Sequence, residues 1–408
     1  MRPGCRGTAR EGAAGVERAD AVVVGGGVNG LSTAYQLAAQ GAGRVILVER
    51  RHLAAGASGK SGALVRTHYT NEPETRLAYE SLKVFAHWDD VIGGDCGFRP
   101  VGLLVLVPPR LRGQLEANVA MHRRVGVESR LVTTDDVCEI EPGMWCGDTD
   151  AIAYEPDSGY ADPNLTAYGF ARAGERAGVE YRLDTAVTAV RTRGGRVAGV
   201  ATSHGDIEAP VVVVAAGAWA DALFEPLGIR LGLRPVQARV VLFRPAYEQP
   251  PARSTCIDHL YGSWFRPDGT CTLVGAEVGT ERDVEPGAAP EHVGQDYIAF
   301  CQRQMVKRYP AMRHSTTRGN WAGVITMSPD LRPLIGRLEA YEGLYCVAGD
   351  SGTSFKTSPA IGRALAELIL EGRSPSVDLE PFRPGRIGAG ALWHDDNDYE
   401  LKDPTISR

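Results

Sequence analysis

Three stretches of this 408-residue sequence predict an α/β fold in which a parallel sheet is layered with helices. The apolar run Ala21-Val22-Val23-Val24 passes directly into GGGVNG at 25–30 and then into an alanine-rich helical pattern. A second apolar run, Val45-Ile46-Leu47-Val48, ends on Glu49. Far downstream, Val211-Val212-Val213-Val214 has the unbroken β-branched character of a strand buried on both faces, and it closes on Ala215-Ala216-Gly217-Ala218-Trp219.

Strand, glycine turn, helix, second strand and terminal acid occur in the order of a dinucleotide-binding βαβ unit. Gly25 lets the chain turn off the strand, Gly27 lets the backbone approach a pyrophosphate, and Gly30 lets the helix pack on the sheet. Val28 and Asn29 open that helix, so its N-terminus faces the diphosphate, while Glu49 is placed to accept hydrogen bonds from ribose hydroxyls.

Composition is that of a packed globular protein, with 43% hydrophobic and 23% charged residues. A net charge of -6 supplies no electrostatic reason to bind nucleic acid or an anionic membrane. Small molecules are the expected partners. The eight cysteines, Cys5, Cys96, Cys138, Cys146, Cys256, Cys271, Cys301 and Cys346, are scattered without a C-x-x-C pair, and no secretory signal precedes them. Reduced thiols in a cytoplasmic protein are expected, and no metal centre is assigned. No apolar run is long enough to span a bilayer.

Residues 1–19 lack an apolar centre and are expected to form a loose, disordered extension. After the nucleotide unit, residues 54–63 form a small-residue loop that can lie against a planar ligand and leads into Leu64-Val65-Arg66. Leu77, Leu82, Phe85 and Trp88 recur at helical spacing across 72–92. A strand is predicted at 101–107, a helix at 111–125 and a turn-rich stretch at 133–150. Asp162, a good N-cap, and Pro163 open a helix that runs to Gly178. Runs at 187–191 and 197–202 precede the valine strand. Alternating strands at 238–243, 263–266 and 271–275, with one helix at 293–309, predict an antiparallel sheet. A core strand at 344–347 and a helix at 358–370 then return to the nucleotide domain. The tail at 385–408 is polar and turn-rich, and weak order is expected there.

Four segments together resemble the D-amino-acid-oxidase-like flavoproteins, and the sarcosine and glycine oxidase branch in particular: GGGVNG at 25–30 with Glu49, VVVVAAGA at 211–218, SPDLRPLIG at 328–336 and GDSGTSFKTSP at 349–359. The resemblance implies a discontinuous Rossmann-type FAD-binding domain from residues 20–92, 151–220 and 323–384. It also implies an antiparallel-sheet substrate domain from residues 93–150 and 221–322. FAD contacts are implied at Arg50, Ala57, Ser58, Ser61, Gly62, Val187, Ala216, Gly217, Trp219, Gly349, Ser351, Gly352, Thr353, Ser354 and Lys356, beside those of the glycine turn.

The implied chemistry is oxidation beside an amine nitrogen. A carboxylated amine needs a cationic anchor, and Arg66 and Lys356 match the family's carboxylate-binding positions; either could instead be half of a structural ion pair. Arg offers a bidentate fork and Lys a point charge. His68, Tyr69, His259, Tyr261 and Trp264 are candidates for the pocket wall, with Trp321 and Ile325 shaping it.

Two departures from the family pattern matter. Gly323 stands where monomeric relatives attach flavin through cysteine, so dissociable FAD is expected. Leu273 stands where they hold a lysine for oxygen activation. Three readings follow: an oxidase of a small amino or imino acid using oxygen, a dehydrogenase passing electrons to a quinone or partner protein, and a non-catalytic flavin-binding subunit.

Overall fold

The computed structural model describes residues 17–247, 249–276, 284–395 and 397–399. The central sheet has six strands in the order Leu334–Arg337, Leu344–Ala348, Val211–Val214, Ala21–Val24, Val45–Val48 and Glu180–Arg182. All neighbours are parallel except the edge strand Leu334–Arg337. Its valine strands are buried, save Val211 at one end, because helices cover one face and a second sheet the other. The helices Val28–Ala39, Pro163–Ala177 and Ser358–Glu371 pack together on the first face. A four-stranded sheet, Glu17–Arg18, Gly205–Glu208, Arg196–Thr202 and Val187–Arg193, supports the other.

The second large layer is an eight-stranded sheet, from Thr316–Met327 and Arg234–Arg244 at one edge to Ile152–Glu155 and Arg130–Val132 at the other. Its pairings are antiparallel except one, Thr255–Asp258 beside Leu103–Leu106, which is parallel. The helix Gln295–Arg308 packs on it through Tyr297, Ile298, Cys301 and Met305. Sheet membership does not follow the expected divisions of the chain. Ile152–Glu155 lies past residue 151 yet belongs to this sheet, and Thr316–Met327 runs continuously across residue 323. Strands end where hydrogen bonding ends, which composition does not mark.

Other expectations need correcting. The turn-rich stretch at 133–150 contains the helix Thr134–Ile140, held by a reciprocal capping box between Thr133 and Asp136. The helical pattern at 72–92 breaks at His87 into Glu72–Ala86 and Trp88–Val91. Residues 1–16 and 400–408 lie outside the described residues, but Glu17–Arg18 is a paired strand.

The tail is the largest departure from expectation. Its described residues, 385–395 and 397–399, fold back onto the body: Arg386 pairs with Asp330, Trp393 packs on Phe382, and Asp395 pairs with Arg332. Tyr399 is buried and meets His68. Polar residues order a segment when their charges find buried partners, and these partners lie far away in sequence.

Candidate functional site

The glycine turn is built by close approach. Gly25 has φ +112°, and a Cβ there would stand 2.4 Å from the Ala215 carbonyl oxygen. A Cβ on Gly30 would stand 2.0 Å from the Gly25 carbonyl oxygen, so Gly30 seats the helix on the turn and does not line a cavity. Gly27 ends the turn without a side-chain cap for Val28–Ala39, and the Val28 amide donates to Ser58 Oγ at 3.0 Å. Glu49 is more than a surface acceptor: its carboxylate takes the Gly26 amide at 2.7 Å and the Arg51 amide at 2.8 Å.

These groups border a cavity of about 400 Å³, within the usual range for a cofactor site. Gly25, Gly27, Asn29, Glu49, Arg50, Ala57, Ser58, Val187, Ala216, Gly217, Trp219 and Gly349 all line it. At one end the Arg50 guanidinium lies 3.6 Å from the Trp219 ring centroid. Two buried polar atoms on its wall, Asn29 Oδ1 and Thr326 Oγ1, have no hydrogen-bond partner among the described residues. An elongated polar guest at a helix N-terminus, with a donor for Asn29 Oδ1 and an acceptor for the Thr326 hydroxyl, suits that wall, so the residues present fit a dinucleotide such as FAD.

A smaller cavity of about 150 Å³ shares Asn29, Ala57, Ser58, Lys60, Gly323 and Asp350 with the first. Val28, Ser61, Gly62, Arg66, Trp264, Ile325, Gly352, Thr353 and Lys356 line it. Arg66 and Lys356 are both buried. The Arg66 guanidinium donates to the His68 carbonyl, and Lys356 Nζ donates to the Thr353 carbonyl at 3.0 Å. Burial and the Arg66 charge press the Lys356 pKa well below the usual lysine range. Trp264 is fixed by two glycines, since a Cβ at Gly62 or Gly275 would stand 2.1 or 2.3 Å from its indole.

Several expected wall residues lie elsewhere. Tyr69 is buried beneath the two cations, with its ring centroid 4.7 Å from the Arg66 guanidinium carbon. His68 and His259 are buried around Tyr399 and line neither cavity; burial pushes the His259 pKa down to about 3. Tyr261 donates to Asp148 in a network with Arg308 and Asp258. Trp321 donates to the Lys60 carbonyl and so braces the loop. Ser351 Oγ donates to the Gly349 carbonyl, and neither Ser351 nor Ser354 lines a cavity. Leu273 is buried in sheet packing and lines neither cavity.

Sequence reasoning passed over Lys60, Asp350, Gln237, Arg239, Phe355 and the segment 286–291. Lys60 stands on the wall common to both cavities, 2.6 Å from the Glu291 carboxylate. Its signal lay inside the small-residue loop, where a lone lysine among glycines and serines is a conspicuous choice. Gln237 and Arg239 reach the smaller cavity from the strand Arg234–Arg244, a placement set by sheet register.

Among the described residues no helix is long and apolar enough to cross a membrane. The chain is 30% identical to glycine oxidase of Pseudomonas aeruginosa, covering 90% of this chain and 99% of that one. It is 26% identical to sarcosine oxidase subunit beta of Rhodobacter capsulatus, covering 91% and 90%. The crystal structure of L-proline dehydrogenase from P. horikoshii superposes with a TM-score of 0.85 at 26% identity, covering 93% of this chain and all of that one. Residues 20–368 match the family DAO, FAD dependent oxidoreductase, and with the glycine turn, Glu49 and the double cavity in place the chain belongs to that family of FAD-dependent enzymes.

Proposed function

We propose that this enzyme oxidises the C–N bond of a small amino or imino acid, as the name glycine oxidase suggests, and one carrying an N-substituted or cyclic amine, as the names sarcosine oxidase and L-proline dehydrogenase suggest. The observation that carries the reading is the pair of buried cations, Arg66 and Lys356, on the wall of a cavity of about 150 Å³ that opens onto the nucleotide cavity. A volume of that size suits a small amino acid.

FAD, when bound, supplies a two-electron acceptor for hydride leaving the carbon beside nitrogen. The protein's part is to bind and orient. Arg66 grips the substrate carboxylate through its fork, Lys356 adds a point charge, and Trp264 and Ile325 bound the side-chain space. As hydride leaves, the amine lone pair forms C=N; the resulting imine hydrolyses in solution. A substrate bound with neutral nitrogen needs no protein base, so none is assigned. Gly323 carries no thiol, and a Cβ there would stand 3.2 Å from Lys60 Cβ, which supports dissociable FAD.

Electrons pass to oxygen, giving hydrogen peroxide, in the first reading. A second reading, transfer to a quinone or partner protein, is favoured by the apolar Leu273, whose burial leaves no cation at that position. Anaerobic mixing with glycine, sarcosine, dimethylglycine, proline, pipecolate and D-amino acids tests the function: at least one should bleach the visible flavin band, and bleaching by none defeats the proposal. Readmitting air then separates the readings, since fast return of colour belongs to the oxidase and slow return to the dehydrogenase. Acid precipitation should leave the yellow colour in the supernatant.

A further inference from the structure

Beside the Arg66 segment, and lining neither cavity, three fully buried side chains converge: His68, His122 on the helix Arg112–Val125, and Glu155 at the end of Ile152–Glu155. Glu155 Oε1 lies 3.7 Å from His68 Nδ1 and 3.8 Å from His122 Nδ1, and the three atoms fall within 4.8 Å of one another. These separations are too long for hydrogen bonds. None of the three atoms has a hydrogen-bond partner among the described residues.

The outward-facing atoms of the same groups are, by contrast, fully engaged. His122 Nε2 lies 2.8 Å from the Tyr69 carbonyl and 3.4 Å from the Tyr69 amide; the shorter contact needs an N–H on Nε2, which leaves the lone pair of the neutral ring on Nδ1. His68 Nε2 meets the Tyr399 hydroxyl at 2.7 Å. Glu155 Oε2 accepts from the Thr67 amide at 3.1 Å, Thr67 Oγ1 at 2.9 Å and Ser158 Oγ at 2.7 Å. Second-sphere partners of this kind, a carbonyl, a hydroxyl and a set of donors on the distal carboxylate oxygen, hold metal ligands in orientation. When His68 donates from Nε2 to the Tyr399 hydroxyl, its Nδ1 keeps the lone pair, and the three groups then present a triangle of electron pairs facing inward.

We propose that His68, His122 and Glu155 bind a divalent transition ion, zinc by donor type, with water completing a four-coordinate shell. Two imidazole nitrogens and one carboxylate oxygen form a set that zinc takes at roughly 2.0–2.2 Å, so the two edges that meet at Glu155, 3.7 and 3.8 Å long, shorten by a few tenths of an ångström on loading, and the two imidazoles draw together. Imidazole coordinates in its neutral form. Arg66 opposes a second cation, and the Glu155 carboxylate offsets it. The ion has a positioning role. It ties His68 and its neighbour Tyr69 to the helix carrying His122, and Arg66 and Lys356 both rest on Tyr69. Residues so far apart in sequence carry no spacing signal.

The test uses the full FAD-loaded chain, stripped with chelator, incubated with zinc and desalted. One zinc per chain is expected by metal analysis, with a rise in Tm that the variants Glu155→Gln and His122→Asn lose while keeping their flavin spectrum. X-ray absorption on the loaded wild type should show only nitrogen and oxygen neighbours, which keeps the proposal open to refutation if the variants fail to fold. Absence of retained zinc, equal zinc in the variants, or a sulfur shell at about 2.3 Å from a free cysteine overturns it.

Discussion

Arg66 and Lys356 share the ring of Tyr69: the guanidinium carbon lies 4.7 Å and the ammonium nitrogen 5.0 Å from its centroid. Two buried cations so close repel, and the aromatic quadrupole offsets part of that cost. An entering carboxylate offsets the remainder. Arg66→Ala should therefore weaken substrate binding by about 1.5–3 kcal/mol, roughly ten- to a hundredfold in apparent KM, with FAD content unchanged. Tyr69→Phe retains the ring and should behave as wild type, whereas Tyr69→Leu should raise KM severalfold. Steady-state kinetics at saturating FAD decide; an unchanged KM for Arg66→Ala removes it from the carboxylate site.

Lys356 gives the site a pH signature. Its pKa is lowered by burial and by Arg66, so in the free enzyme the ammonium is lost at a pH below the usual lysine range. A bound carboxylate favours the charged form and raises that pKa. Affinity for an anionic ligand should be full below the free-enzyme value, fall with rising pH between the two values, and level off above the second. Within that window binding takes up a proton. Calorimetry with propionate in two buffers of different ionisation heat measures the uptake directly, and Lys356→Met should abolish it. Proton release in wild type would contradict the assignment.

Glu49 supports a third expectation, and here geometry sharpens what the motif alone suggests. Its carboxylate holds the Gly26 and Arg51 amides, so it shapes the turn as well as offering lone pairs to a ribose. Glu49→Ala should cost the apoprotein about 1.5–3 kcal/mol for the lost charge-assisted contacts, and it should also weaken FAD retention. Glu49→Gln, which keeps one acceptor oxygen, should fall between. Denaturant melts of apoprotein and flavin release on dilution separate the two effects. A loss of FAD retention with an unchanged apoprotein melt would mean that the two amide contacts carry no weight.

The nucleotide half of the site was legible because it is local. Strand, glycine turn and acid follow one another, and each glycine answers a contact a few residues away or on the adjoining strand. The substrate half is assembled by register and by distant segments. Gln237 and Arg239 reach the cavity only because their strand is paired between Thr316–Met327 and Cys271–Ala276. His68 and His259 were candidates for the cavity wall, yet Tyr399, from a tail read as loose, meets His68 and packs near His259 instead. A polar tail looks disordered in sequence when every partner that orders it is remote.

That tail carries the last prediction. Asp395 is buried against Arg332, which also lies 3.2 Å from Glu74, and it accepts hydrogen bonds from Thr70 and Asn71. Burial raises the Glu74 pKa while Arg332 opposes the shift, so two carboxylates share one guanidinium in a low-dielectric pocket. Asp395→Ala leaves Arg332 with one buried partner and should destabilise by about 3 kcal/mol, near the lower end for a broken buried pair. Asp395→Asn keeps the Thr70 and Asn71 hydrogen bonds and should cost less. Urea unfolding measures the difference, and limited proteolysis should cut the tail of Asp395→Ala well before the body. If both variants match wild type in each assay, the tail is a passenger on the fold, and its contacts with Arg332 and His68 contribute nothing to holding the segment that bears Arg66.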